Sequence, residues 1–572
     1  MEEIKESDIQ KNKKKTHRKK GKNKILKKII LAIFIIFALC FIVYKINDYV
    51  ILGKNKTTNL VINNRNVTSN LKKEIIVEND SIYLSKQDLA NFFDKYIYED
   101  KNNNQIITTY DKKIATISMD SEEMTINGTK KSTDGKIIQK DETIYIPITD
   151  LEDVYGIDIR YVESSNVLVL DSVTKEQKKA IITKNVAVKS SKKFIAKTVE
   201  RVKKGSYVVV IEEENGYAKI RTESGKIGYI KSNKLANIVT VREEIQETKQ
   251  IDGKVNLVWD YYSTVANAPD RSGQTIDGIN VVSPAFFHLD SNGELQSNVG
   301  TSGKNYIEWA HSNGYKVWPM VQNDGNGMMS VTSKIMNDYE KRQKLINQIL
   351  LACIQYNLDG VNIDFENMKQ EDKDMYSRFI IELEPRLKEI GLVLSVDVTA
   401  PDGSETWSMC FDRNVIGNVA DYIIFMAYDQ YGASSNKAGT TAGYNWVELS
   451  LKKFLETEAI ESDKIILAIP LYARLWTENS SGTVTKQSAV PIKNIDKVIP
   501  DGVEKQWDEN LKQYYVQYKE GEYTKKMWIE DEKSLTEKIT LIIKNNLAGV
   551  ASWEKDMEYE GFWTFLKEQL NK

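Results

Sequence analysis

From Lys254 onward, eight short apolar runs recur with helix-length stretches between them: VNLVWDYY, NVVSPAFF, KVWPMVQ, GVNIDFE, LVLSVDV, YIIFMAY, KIILAIP and AGVAS. They begin near residues 254, 280, 316, 360, 392, 422, 464 and 548, so most intervals are 26 to 44 residues. Parallel strands need a crossover of that length, and eight such βα units describe a TIM barrel. The fold class expected is therefore α/β, a C-terminal (β/α)8 barrel over residues 250–572. The last interval, 84 residues, is about twice the norm and holds the hairpin sequence YYVQYKEGEYTKKMWI, with a turn expected at Glu520-Gly521. This insertion follows strand seven, on the face where such barrels carry their active sites.

Strand four carries the chemistry. In Gly360-Val361-Asn362-Ile363-Asp364-Phe365-Glu366, alternation sends Val361, Ile363 and Phe365 toward the helices and Asn362, Asp364 and Glu366 into the barrel. A central barrel strand has a solvated face only at its mouth, so two carboxylates there are costly without a purpose. Like charges in a dry setting raise one pKa, which suits a proton donor near neutrality. Roughly 6.6 Å between alternate Cα atoms does not by itself separate retaining from inverting carboxylate pairs.

These residues resemble the strand-four signature of glycoside hydrolase family 18, the chitinase family, Asp-Gly-x-Asp-x-Asp-x-Glu. Here the chain reads Asp359-Gly360-Val361-Asn362-Ile363-Asp364-Phe365-Glu366, with Asn362 where many members have Asp. The likeness continues in Met426-Ala427-Tyr428-Asp429, in Pro470-Leu471-Tyr472-Ala473-Arg474, and in Trp553 at the end of strand eight. It is nearest to the branch of bacterial spore-cortex and cell-wall N-acetylglucosaminidases. The resemblance implies Glu366, Asp364 and Tyr428 as the catalytic group, with Asn362, Met426, Asp429, Tyr472 and Trp553 lining the sugar site. It also implies a retaining mechanism in which the substrate's own N-acetyl carbonyl attacks the anomeric carbon.

Strand five offers a further polar row, Ser395, Asp397 and Thr399; if it faces inward, Asp397 is another interior carboxylate able to tune Asp364. Cys353 falls on an apolar helical stripe with Ile346, Ile349 and Leu350 and reads as core. The three histidines, His17, His288 and His311, form no ligand spacing, so no metal and no other cofactor is expected.

The N-terminal part carries the topology. Sixteen uncharged, nearly all apolar residues run from Ile29 to Tyr44, behind a basic tail over 1–28 with 12 Lys/Arg against 4 Asp/Glu. A single membrane helix over 29–46 is expected, with the tail in the cytoplasm and the rest outside the cell. The other 544 residues then carry a net −10, which argues against a nucleic-acid partner. Three cysteines exclude a disulfide scaffold.

Two small β-rich modules are expected between anchor and barrel. Residues 56–175 resemble the copper amine oxidase N-terminal-like domain, through VINNRNVT, SIYLSKQDLANFF and TIYIPITDLEDVYG, the last two reading as an internal strand-then-helix repeat. The segment has no His or Cys, so nothing suggests copper, and it reads as a stalk contacting the wall. Residues 179–238 resemble a bacterial Src-homology-3-like domain, from Gly216-Tyr217-Ala218-Lys219-Ile220 to Gly228-Tyr229-Ile230 and Leu235.

The function expected is an anchored glycosidase acting on a polysaccharide, peptidoglycan first, with contact to the cell wall through the two modules. A chitinase and a catalytically silent, lectin-like barrel are the alternatives. The retained Glu366 favours an enzyme.

Overall fold

The computed structural model describes residues 24–43, 56–78, 81–193, 195–245, 251–263 and 265–572. Most of the basic tail, His17 and the end of the expected anchor, 44–46, lie outside the described residues. A 20-residue helix, Lys24–Val43, has a mean hydropathy of 2.8 over its apolar window, long and apolar enough to cross a membrane.

The chain divides into two compact units, 1–95 with 133–247, and 96–132 with 248–572. In the first, strands Ser81–Ser85 and Thr143–Pro147 of the internal repeat pair antiparallel, Leu84 opposite Ile146. The helix after the first of them is Lys86–Phe92, capped by the Ser85 hydroxyl. Residues Gln177–Arg242 form a seven-stranded antiparallel sheet around Ala180, Ile182, Val188, Val208, Ala218 and Ile220.

The second unit holds the eight expected strands: β1 (Val255–Asp260), β2 (Val281–Pro284), β3 in two parts (Lys316–Val317 and Met320–Gln322), β4 (Gly360–Asp364), β5 (Val393–Val398), β6 (Tyr422–Met426), β7 (Ile465–Pro470) and β8 (Gly549–Trp553). The arrangement is TIM-barrel-like. All pairings among them are parallel: β2 with the first part of β3, its second part with β4, then β4 to β8 in order, and β8 with β1. Alternation sorts the side chains into two cores. Leu257, Trp259, Trp318, Met320, Tyr422, Ile424, Ile466 and Ala551 fill the inner one. Val361, Ile363 and Phe365 join helix residues such as Ile346, Cys353 and Phe379 in the outer one, as the strand-four pattern requires. Gly549 allows β8 to touch β1, because a Cβ there would lie 1.9 Å from the Val255 carbonyl oxygen.

The insertion after β7 is a five-stranded antiparallel sheet, led by Tyr472–Glu478. Its hairpin pairs Glu520 with Tyr523, so the two-residue turn is Gly521-Glu522, one residue later than expected, with Gly521 at φ +60°. Residues 96–132, which fall inside the expected 56–175 module, also pack against the barrel. These residues form an antiparallel sheet that clusters with the barrel. The reason is local: Arg378 on helix Lys373–Glu389 donates to the Tyr96 carbonyl at 2.6 Å and covers the Tyr98 ring at 4.7 Å, while Lys388 pairs with Asp111 at 3.0 Å.

Candidate active site

At the C-terminal end of β4 three polar side chains point inward, each held differently. Asn362 is fully buried with both ends of its amide fixed. Its Oδ1 accepts from the Trp259 indole at 2.8 Å, and its Nδ2 donates to Asp397 at 2.8 Å and to the Ser395 hydroxyl at 3.2 Å. Asp364 accepts from Gln322 on β3 at 3.1 Å through Oδ2, while its buried Oδ1 has no hydrogen-bond partner among the described residues. Glu366 lies two residues past the strand. Its backbone is clamped by the buried side chain of Asn323, which accepts from the Glu366 N–H at 2.8 Å and donates to its carbonyl at 3.0 Å. The chain then turns through Asn367 at φ +50°, a left-handed position that Asn tolerates.

This cluster is electrostatically one object. Burial raises the Glu366 carboxyl well above the usual carboxylate range, and the nearby charges of Asp364, Asp429 and Asp324 push it further. Asp364 is raised to about 6, by burial first and against the opposing hydrogen bond from Gln322. Asp397 is also held well above its ordinary value, by burial and then by Asp364. Such a set favours the protonated form of Glu366, the direction a proton donor needs.

Strands β6 and β7 supply the opposite wall. Met426 is buried at the end of β6, and half-buried Tyr428 follows it. Asp429 sits at φ +56° and accepts from the Tyr472 hydroxyl and from Arg474 at 2.7 Å. Arg474 is anchored in turn by Gln487 at 3.0 Å. Trp553 ends β8, half-buried, its ring 5.7 Å from both Trp259 and Tyr261 and 6.5 Å from Tyr428. Arg271 secures the loop beyond it, bridging Asp260 and Asp556 at 2.8 Å each. Glu554, next to Trp553, is pushed up to about 7 by burial and by Asp260.

The eight residues singled out from the sequence thus stand at the C-terminal ends of β4, β6 and β8 and on the first strand after β7. Sequence reasoning missed Gln322, Asn323, Trp259 and Tyr261. All four lie at the ends of β1 and β3, where polar or aromatic residues after an apolar run are the available signal. Ser395 and Asp397 do face inward, through their bonds to Asn362, whereas the Thr399 hydroxyl bonds the Trp407 carbonyl. Cys353 is core.

Comparison with known proteins bears on the family and the fold. Residues 257–558 match the glycosyl hydrolases family 18 profile, and residues 61–170 match the copper amine oxidase N-terminal domain. The uncharacterized glycosylase YvbX of Bacillus subtilis is 26% identical over 300 residues, 51% of this chain and 84% of that protein. The cortical fragment-lytic enzyme of Bacillus subtilis is 24% identical over 243 residues, 41% of this chain and 56% of its own length. Among solved structures, a chitinase from Chromobacterium violaceum shares the fold, with a TM-score of 0.50 and 23% identity over 56% of this chain and all of that one.

Proposed function

The chain belongs to glycosyl hydrolases family 18, and from that premise we propose that it is a membrane-anchored hydrolase cutting β-1,4 bonds next to N-acetylglucosamine in peptidoglycan outside the cell. The observation that carries the reading is the pairing of Glu366, raised far enough to hold its proton, with Asp364, whose buried Oδ1 lacks a partner. Glu366 donates its proton to the glycosidic oxygen as the bond to the anomeric carbon breaks. The acetamido carbonyl of the same sugar attacks that carbon, giving an oxazolinium ion and no enzyme-bound sugar. Asp364 Oδ1 accepts the amide N–H and its charge opposes the cation; Tyr428 donates to the carbonyl oxygen; Trp553 is the floor under the ring. Water, deprotonated by the Glu366 carboxylate, then opens the oxazolinium ring with net retention.

Peptidoglycan rather than chitin is favoured by the likeness to a cortical fragment-lytic enzyme and by the anchor, which holds the barrel near a wall. The basic tail before helix Lys24–Val43 supports a cytoplasmic N-terminus. The 56–175 and 179–238 modules, the second Src-homology-3-like, are read as wall contacts, and the ring of parallel pairings as a closed barrel. The test is Glu366→Gln in the full chain, assayed on peptidoglycan and on chitin. Loss of about 10² or more in turnover on peptidoglycan with the fold kept supports the assignment. Retention of more than about a tenth of turnover overturns the acid role, and activity confined to chitin overturns the substrate.

A further inference from the structure

Asp397 is not part of the proposed reaction, yet it lies in the same layer of the barrel. Strands β4 and β5 pair in parallel with Asn362 opposite Ser395 and Ile363 opposite Val396, so one step on Asp364 stands across from Asp397. Both side chains face the interior and both are buried, Asp397 at 1% exposure. Asn362 donates to one Asp397 oxygen, and its own orientation is locked by the Trp259 indole, so it cannot turn to serve Asp364. Gln322 reaches only Oδ2 of Asp364, which leaves Oδ1 an orphan acceptor in a dry site. A buried acceptor without a donor is expensive, and two adjacent buried carboxylates cannot both ionise.

We infer that Asp364 and Asp397 share one proton in the free protein, Asp397 carrying it and donating to the orphaned Oδ1 of Asp364. The groups acting on Asp397 from the surrounding elements are Asn362, Asp364 and Glu366 from β4 and its end, Tyr428 after β6, and Tyr376 on helix Lys373–Glu389; none is cationic. Charge on the pair is therefore limited by the shared proton rather than by a counter-ion. Asp397 is a positioning residue. It keeps Asp364 ionised and aimed at the place where the proposed substrate amide N–H would replace it, so the inference rests on the proposed role of Asp364. The directions of the shifts agree, with Asp364 at about 6 and Asp397 well above its ordinary value.

Infrared difference spectra of the full chain test this without substrate. Above neutrality the Glu366→Gln protein should show the C=O stretch of a protonated carboxyl that is absent from Glu366→Gln/Asp397→Asn; Glu384 and Glu554, common to both, cancel. No such band in the first protein, or its survival in the second, overturns the shared proton. Kinetics supply the second arm. Asp397→Leu removes the donor, so the acidic limb of kcat/KM moves up by about one pH unit, a tenfold loss on that limb. Asp397→Asn keeps a donor and leaves the limb in place, which a purely structural role would not distinguish. Equal limbs in both variants overturn the inference. A wild-type chain that cleaves no glycan would refute the proposed function instead, while the infrared result would still decide whether the proton is shared.

Discussion

In the proposed reaction Glu366 is the acid, and its surroundings disfavour the charged form. Burial is the largest cause, followed by the charges of Asp364, Asp429 and Asp324. Its activity as a donor requires the protonated state, so hydrolysis falls as pH rises through its elevated pKa, and on the acid side falls as Asp364, at about 6, takes up a proton. Asp324 is the one exposed member of this set. Replacing it by Asn removes a negative charge that favours the protonated acid, so the alkaline limb of kcat/KM should move to lower pH. The displacement should shrink with added salt, since an exposed charge is screened. An unmoved limb at low ionic strength would show that Asp324 does not reach the acid. The inward positions of Asp364 and Glu366 and the place of Tyr428 after β6 were legible in the sequence because these residues sit in motifs. Asn323 was not, since its work is done through the Glu366 backbone, and a side chain that clamps a main chain leaves no spacing rule behind.

At the scale of elements, period-two alternation located all eight barrel strands to within a residue or so of their starts. What it could not give was the packing between strands. Gly549 is an example: in the sequence it is an ordinary glycine opening AGVAS, and only the pairing of β8 with β1 shows that Val255 leaves no room for a methyl group. Gly549→Ala should destabilise the chain by about 2 kcal/mol or more, the cost of overpacking, read as a lowered thermal midpoint. Helix Lys373–Glu389 makes a second case. Glu384 on it is half-buried and pushed up to about 8, chiefly by burial. In the unfolded chain a glutamate titrates near 4.3, so between these values the folded state binds more protons and stability declines as pH rises. The contribution is fully present below the unfolded value and lost as pH passes the folded one. Glu384→Gln should flatten the fall in thermal midpoint between pH 5 and 8; an unchanged slope would place the pH sensitivity elsewhere. The packing of the 96–132 sheet was not legible in the sequence for the same reason as that of Gly549. Its alternation shows a sheet, but its attachment depends on Arg378, some 280 residues away.

For the whole molecule, three parts enter the proposed reading. Helix Lys24–Val43 is long and apolar enough to cross a bilayer, residues 61–170 match the copper amine oxidase N-terminal domain, and residues 257–558 match glycosyl hydrolases family 18. Both sugars of peptidoglycan carry a 2-acetamido group, so the bond is chosen by the proposed placement of N-acetylglucosamine at the cut and not by substrate assistance. The sugar whose acetamido group attacks becomes the new reducing end, so the proposed cut, on the C1 side of N-acetylglucosamine, leaves that sugar there. The most direct measurement is therefore to digest purified peptidoglycan with the full chain in detergent micelles, reduce the products and weigh them. The account predicts fragments ending in reduced N-acetylglucosamine, formed by the wild-type chain and not by Glu366→Gln. Fragments ending in reduced N-acetylmuramic acid, or equal release by the variant, would contradict it.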